Sequence, residues 1–299
     1  MTDSTVAILM QVVFNGLAVG SVYALVALGF VLIYKATSVF NFAQGELMML
    51  GAYFCYTLIT FAGLDYLTSF LLTLVLCFLM GTVIEMLVLR PLVGKPTFSV
   101  IMVTIGLAVM LQGMTSLIWG DDVHNFPSFF SSRVFSIQNV HLRAIEIWIF
   151  ASTIALVLAF LLFFKYSKIG VAMRGTANDQ DTAMLMGISV RRIFSLSWAV
   201  ASIIAAVGGI SYANLLFVSP DMGHIGLRAF PAAVLGGLDS VPGAIVGGII
   251  IGICETLAGA YLDRMLGGGI KEITSFVILI AILMIKPYGL FGKQEIVRV

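Results

Sequence analysis

The sequence predicts an all-α polytopic integral membrane protein, a bundle of about eight full transmembrane helices plus one broken or half helix. Three observations predict it. Charged residues make up 10% of the 299 residues and apolar ones 60%, against about 25% and 45–50% in a soluble domain. Mean hydropathy is +1.09. The apolar residues fall in runs of helix-spanning length, and helices satisfy their own backbone hydrogen bonds in lipid. No alternation of the kind that builds a β-barrel occurs.

Taken in order, the runs are Ala7–Tyr34, Leu47–Phe61, Leu67–Leu89, Phe98–Trp119, Ile145–Phe164, Ile193–Phe217, Ala244–Ala260 and Ile270–Ile285. The opening MTDSTVA is acidic and lacks the basic segment of a secretory signal, so the first run reads as a retained span. Between the sixth run and the last two lies a shorter piece, Ile225–Leu238, cut off by Asp239, Pro242 and Gly243. It is too short to cross unaided and reads as the half helix. Counting it as a crossing and placing the N-terminus outside puts 11 of the 16 basic residues on the cytoplasmic side: Lys35, Arg90, Lys95, Lys165, Lys168, Arg174, Arg191, Arg192, Lys286, Lys293 and Arg298. The C-terminus is then cytoplasmic.

Small residues recur at helix-packing intervals: Gly16, Gly20, Ala24 and Ala27 in the first run; Ala201, Ala205, Gly208 and Gly209 in the sixth; Gly243, Gly247, Gly248 and Gly252 late. They let backbones approach closely, within one subunit or against a partner. Cys55, Cys77 and Cys254 sit inside apolar runs without metal-ligand spacing and read as small packing residues. A net charge of +1 gives no reason to expect nucleic acid as a partner.

The longest polar interruption, residues 165–192, holds five of the 16 basic residues. The pattern predicts a short helix over about 179–186, with Asn178 as N-cap, Asp179 and Asp181 in the first turn, Asp181 at the capping-box position, and Gly187 at the left-handed C′ position. Ala183, Met184 and Met186 give it an adaptable, partly apolar surface suited to docking a protein, with Arg174, Arg191 and Arg192 around it. Two further interruptions, Lys35–Glu46 and Ser219–Gly243, mark a candidate translocation path, because transporters place cargo at broken helices. Its candidate residues are Asn41, Gln44, Glu46, Gly236, Gly237 and Asp239. The two acids either line that route or cap helices near the interface. Glu85 and Arg90 read as a pair near one helix end.

Three segments resemble one family. GVAMRGTANDQDTAMLMGISVRRI (Gly170 to Ile193) is similar to the cytoplasmic coupling segment of branched-chain amino-acid ABC transporter permeases of the LivH type. GSVYALVALGFVLIYKATSVFNFAQGELMMLGAY (Gly20 to Tyr53) and PAAVLGGLDSVPGAIVGGIIIG (Pro231 to Gly252) resemble two others of its motifs. The resemblance runs in order along essentially the whole chain; one departure is Gly175, where the family more often has alanine. It implies a type II ABC importer-like fold in a bacterial inner membrane. It also implies a paralogous permease subunit, two cytoplasmic ATPase subunits and a periplasmic or extracellular substrate-binding protein as partners. The coupling residues implied are Arg174, Asn178, Asp181, Ala183, Met184, Gly187 and Arg191. No G-x-x-x-x-G-K-[ST] occurs, so no cofactor is expected on this chain, and ATP would be used by the partner subunits.

The competing readings are an ion-coupled secondary transporter working through Glu46 or Asp239, and an ABC permease for urea or short amides. Sparse intramembrane acids and the lack of a carboxylate or histidine chain weigh against the first.

Overall fold

Long apolar runs without internal breakers fold as long helices, and the computed structural model of the chain shows them in the expected order. It describes residues 2–127, 134–137 and 140–292; Arg133, Lys293 and Arg298 lie outside them. The helices are α1 (Thr2–Thr37), α2 (Gln44–Thr60), α3 (Tyr66–Ile84), α4 (Thr97–Trp119), α5 (Ala144–Tyr166), α6 (Lys168–Asn178), α7 (Gln180–Leu185), α8 (Val190–Leu215), α9 (His224–Gly236), α10 (Val241–Tyr261), the single turn α11 (Asp263–Leu266) and α12 (Ile270–Ile285). The segment Val134–Ile137 (β1) pairs antiparallel with Val140–Arg143 (β2), Val134 opposite Arg143. The all-α class holds, with this one short hairpin, rich in β-branched and aromatic residues, added between α4 and α5.

Six described helices are long and apolar enough to cross a membrane: α1, α3, α4, α5, α8 and α10. The expected count of eight is not confirmed by these six. At 1.5 Å per residue, α2 with 17 residues and α12 with 16 residues are about 26 and 24 Å long, short of a hydrocarbon core of about 30 Å. The 13-residue α9 has the length of the expected half helix. Burial separates two classes among the six. The most apolar windows of α1 and α8 are 89% and 78% buried, whereas those of α3, α4 and α5 are 28% or less. The latter present rows of exposed apolar side chains, such as Leu71, Val75 and Leu79 on α3, as lipid-facing helices do.

The chain divides into two units, with α1, α5 and α9 contributing to both. In the first unit (residues 1–31, 130–153 and 228–299) the small-residue faces meet each other. Gly248 and Gly252 of α10 lie against Ala24 and Gly20 of α1. A methyl group on Gly20 would come within 2.9 Å of the Ile249 Cα, and one on Gly16 within 2.8 Å of the Ile253 Cα. The other face of α10 sets Gly243 and Gly247 against Gly236 and Ala232 of α9. These stripes therefore pack within the subunit. Ser240 accepts from the Gly243 N–H (3.0 Å) and starts α10. Across α9, α10 and α12, Arg228 pairs with the fully buried Glu255 (3.6 Å) and with Glu272 (2.7 Å).

In the second unit (residues 32–129 and 154–227) α2 packs on α8 and α3. Gly209 of α8 abuts the Met48 carbonyl and Gly51 of α2 abuts Ala206. A methyl on Gly81 of α3 would come within 2.7 Å of the Trp198 carbonyl. Glu85, 2% exposed, accepts from Arg90 (3.0 Å) and from Ser195 of α8. The expected Glu85–Arg90 pair is thus present, with Ser195 as its third member.

Candidate functional site

Two places in the second unit gather most of the candidate residues. The first is the polar segment after α5. It folds as two helices rather than the single one expected. Ser167 caps α6, accepting from the Gly170 N–H (2.8 Å). Gly170 is in close contact with the end of α5, a methyl there lying 2.6 Å from the Phe163 carbonyl, so only glycine lets α6 fold back on α5. Gly170, Met173 and Thr176 form the buried face of α6. Arg174 donates to the carbonyls of Phe164 and Lys165 (3.2 Å for the second) and lies 5.5 Å from the Phe164 ring centroid. A cation there complements the negative end of α5, which makes Arg174 a brace between α5 and α6.

The N-cap of α7 is Asp179, which corrects the assignment to Asn178. Asn178 is the last residue of α6, whereas Asp179 is extended (φ −159°, ψ 113°) and its Oδ1 accepts from the N–H groups of Asp181 (2.9 Å) and Thr182 (3.1 Å). Asp181 is accordingly second in the helix, not third. The third position belongs to Thr182, whose hydroxyl donates to Asp179 Oδ2 (2.6 Å). That hydroxyl, and next the Thr182 amide, hold the Asp179 carboxyl below the usual carboxylate range. At the other end Gly187 has φ 81°; its N–H donates to the Met184 carbonyl (3.0 Å) and the Ile188 N–H to the Ala183 carbonyl (3.0 Å). This is the paired closure that a left-handed C′ glycine provides. Ala183 is 4% exposed and faces inward, while Met184, Leu185 and Met186 are 54%, 87% and 78% exposed. Leu185 is the most prominent of them, and in sequence it is indistinguishable from a buried leucine because the helix is too short to show an apolar period. Arg191 and Arg192 are exposed at the start of α8.

The second place is a buried junction. Gln44, the first residue of α2, donates through Nε2 to the Ala201 carbonyl (3.3 Å), near the middle of the 26-residue α8. The non-helical residues 38–43 therefore enter to about half the depth of a membrane-length helix. Asn41 orders this bend: its Oδ1 accepts from the Ala43 N–H (3.1 Å) and its Nδ2 donates to Gln44 Oε1 (3.3 Å). Thr104 of α4 accepts from the Phe42 N–H (3.3 Å). From the other direction, residues 216–223 lead into α9. Gly223 and Gly226 lie against Gly45 and Glu46, the Gly223 carbonyl on Gly45 and a methyl on Gly45 within 2.9 Å of the Gly226 Cα. Glu46 is 7% exposed, and its Oε2 has no hydrogen-bond partner among the described residues.

On one side of this junction lies a cavity of about 180 Å³. Its walls include Thr37, Phe40, Glu85, Lys95, Thr104 and Trp198, together with Gln180 of α7. Toward the other end of α2, His124 and Val218 exchange backbone hydrogen bonds (2.8 and 2.9 Å). The His124 ring stacks on Tyr56 (5.1 Å between centroids), and Tyr53 lies 5.0 Å from Trp119. Gly236, Gly237 and Asp239 belong to the first unit's α9–α10 turn. There Gly237 has φ 101°, Asp239 is exposed, and the Leu290 and Phe291 N–H groups donate to the Leu235 and Gly236 carbonyls (2.8 and 3.1 Å).

A multi-pass helical bundle with a helix break beside the middle of α8 and one capped helix pair outside its spans fits a membrane transport protein. Comparison with known proteins gives the family. Residues 12–285 match the sequence profile of the branched-chain amino acid transport system / permease component family, and the chain belongs to it. It is 34% identical to the high-affinity branched-chain amino acid transport system permease protein LivH of Salmonella typhimurium, with 97% of each chain covered. It is 32% identical to the permease protein BraD of Pseudomonas aeruginosa, over 97% of this chain and 98% of that one. Among solved structures it is similar in fold to a chain of PsaBC from Streptococcus pneumoniae in complex with Fab. The TM-score is 0.51 at 13% identity, covering 92% and 91% of the two chains.

Proposed function

We propose that this chain is the permease subunit of an ATP-driven importer that moves branched-chain amino acids by alternating access, with α6 and α7 as its coupling element. Family membership supports the transport role. The observation that carries the coupling reading is the α7 tip, where Met184, Leu185 and Met186 stand in solvent on a helix fixed at both ends. Exposed apolar side chains on an ordered projection suit a groove in another protein. Arg174, Asn178, Asp181, Ala183, Gly187 and Arg191 then act by shaping and bracing that projection as much as by touching the partner.

The same reading has two cytoplasmic ATPase subunits, a paralogous permease and an external substrate-binding protein as partners. The chain sits in a bacterial inner membrane with its N-terminus outside and C-terminus inside. ATP is consumed by the ATPase subunits, and this chain binds no cofactor. Asn41, Gln44 and Glu46 are the route residues of the second unit, and Gly236, Gly237 and Asp239 those of the first. Uptake of labelled leucine by vesicles holding the assembled complex tests the proposal. Uptake that requires ATP inside and competes poorly with urea supports it, while uptake driven by an ion gradient without ATP overturns it.

A further inference from the structure

The buried carboxyl of Glu46 has no cation facing it among the described residues. A carboxylate taken out of water without a partner is unfavourable by several kcal/mol. Its place in the first turn of α2 offsets part of that, since the amino end of a helix carries partial positive charge. The remaining demand is for a positive group.

The surroundings of Glu46 are specific. Its neighbours Gly45, Gly223 and Gly226 have no side chains, so the two segments meet backbone to backbone and nothing interdigitates between them. Directly after Gly223 begins α9, whose amino end is therefore beside the acid. A cation acceptor and a helix amino end side by side match a molecule carrying an ammonium and a carboxylate on one carbon. The glycines let that carbon come close to the backbone.

We infer that Glu46 is the group that receives the cargo's ammonium as it passes the half-depth junction, with the amino end of α9 receiving the carboxylate. The inference rests on the import reading and adds a recognition site for the α-amino-acid zwitterion. Gly45 and Gly226 are in contact in this structure, so the zwitterion enters only when they part. Only weak holding is required, since the cargo must leave again.

The test uses the full chain in lipid nanodiscs and dicyclohexylcarbodiimide, an apolar reagent that forms adducts with carboxyl groups in apolar surroundings. The readout is the mass of the peptide bearing Glu46. Leucine and 3-methylbutylamine, both with the ammonium, are expected to slow adduct formation, 4-methylpentanoate, lacking it, is not, and Glu46→Gln is expected to abolish the adduct. No adduct at Glu46 in the native chain, no protection, or equal protection by 4-methylpentanoate overturns the assignment. This readout needs no ATP, so it is independent of whether import is ATP-driven. In the assembled transporter Glu46→Gln is expected to lower uptake about tenfold, the order expected for losing one charge-assisted hydrogen bond, while Glu46→Asp retains most of it. Both variants should still assemble with the ATPase subunits in the membrane. Native uptake in Glu46→Gln contradicts the inference.

Discussion

Truncating Leu185 to alanine removes three carbons from the tip of α7. The side chain is 87% exposed, so almost all of its apolar surface is free for a partner to cover. At about 0.8 kcal/mol per buried CH₂, complete coverage makes the loss about 2 kcal/mol, or roughly 30-fold in Kd. The bundle itself should lose less than about 0.5 kcal/mol, because an exposed position contributes little to packing. Titrating a purified ATPase subunit against the permease assembly in nanodiscs measures the first quantity, and thermal unfolding the second. Met186→Ala, at 78% exposure, should weaken docking in the same manner. Placing a charge at the tip with Leu185→Glu should be worse than alanine. Leu185→Ala and Leu185→Glu both binding within about threefold of the native chain would refute the docking role of α7.

Three other outcomes follow from the geometry. Gly187→Ala forces a Cβ into a left-handed residue with φ 81°, a strain of about 1–2 kcal/mol, and should speed hydrogen exchange at Gly187 and Ile188 without unfolding the bundle. The Asp179 cap stabilises α7 when ionised, and its folded pKa lies below the unfolded one. Its contribution is therefore full above the ordinary carboxylate pKa of about 3.9 and lost as pH falls through the folded value. Exchange protection in α7 should stay flat from neutral pH down to about pH 5 and drop only below about pH 4, and Asp179→Ala should remove that step. Gly252→Val at the α1–α10 contact sets branched carbons where Gly20 backbone atoms already lie, and should lower the unfolding temperature or prevent accumulation in the membrane, whereas Gly175→Ala, with only Ile188 nearby at 3.7 Å, should be tolerated.

The long spans were legible because hydropathy alone determines them, and the small-residue stripes because close helix packing needs small side chains at fixed spacing. What these stripes touch was not legible, since Gly20 meets Gly252 only through tertiary packing. Two neighbouring residues, Asn178 and Asp179, are both good caps. The choice of Asp179 depends on where α6 ends, and α6 was missed because its polar face and three glycine or threonine positions hide the apolar one. Its signals were Ser167 as a cap and the spacing of Gly170, Met173 and Thr176. Glu46 is legible as an acid near a helix start, but the glycine backbone that covers it, at Gly223, comes from the distant segment leading into α9. Asp239 stands in an apolar stretch of the sequence but is an exposed turn residue, because Gly237 and Ser240 form the turn around it.

A single thiol at the tip of α7 tests the coupling role most directly. Cys55 and Cys77 are buried and Cys254 is half-buried, so Leu185→Cys in a Cys254→Ser background offers one exposed reactive position. Membrane-impermeant maleimide should leave it unlabelled in intact cells and label it in inside-out vesicles. Added ATPase subunits should then block the reaction. Labelling in intact cells, or labelling in inverted vesicles that ATPase subunits do not slow, would contradict a cytoplasmic helix held in an ATPase groove.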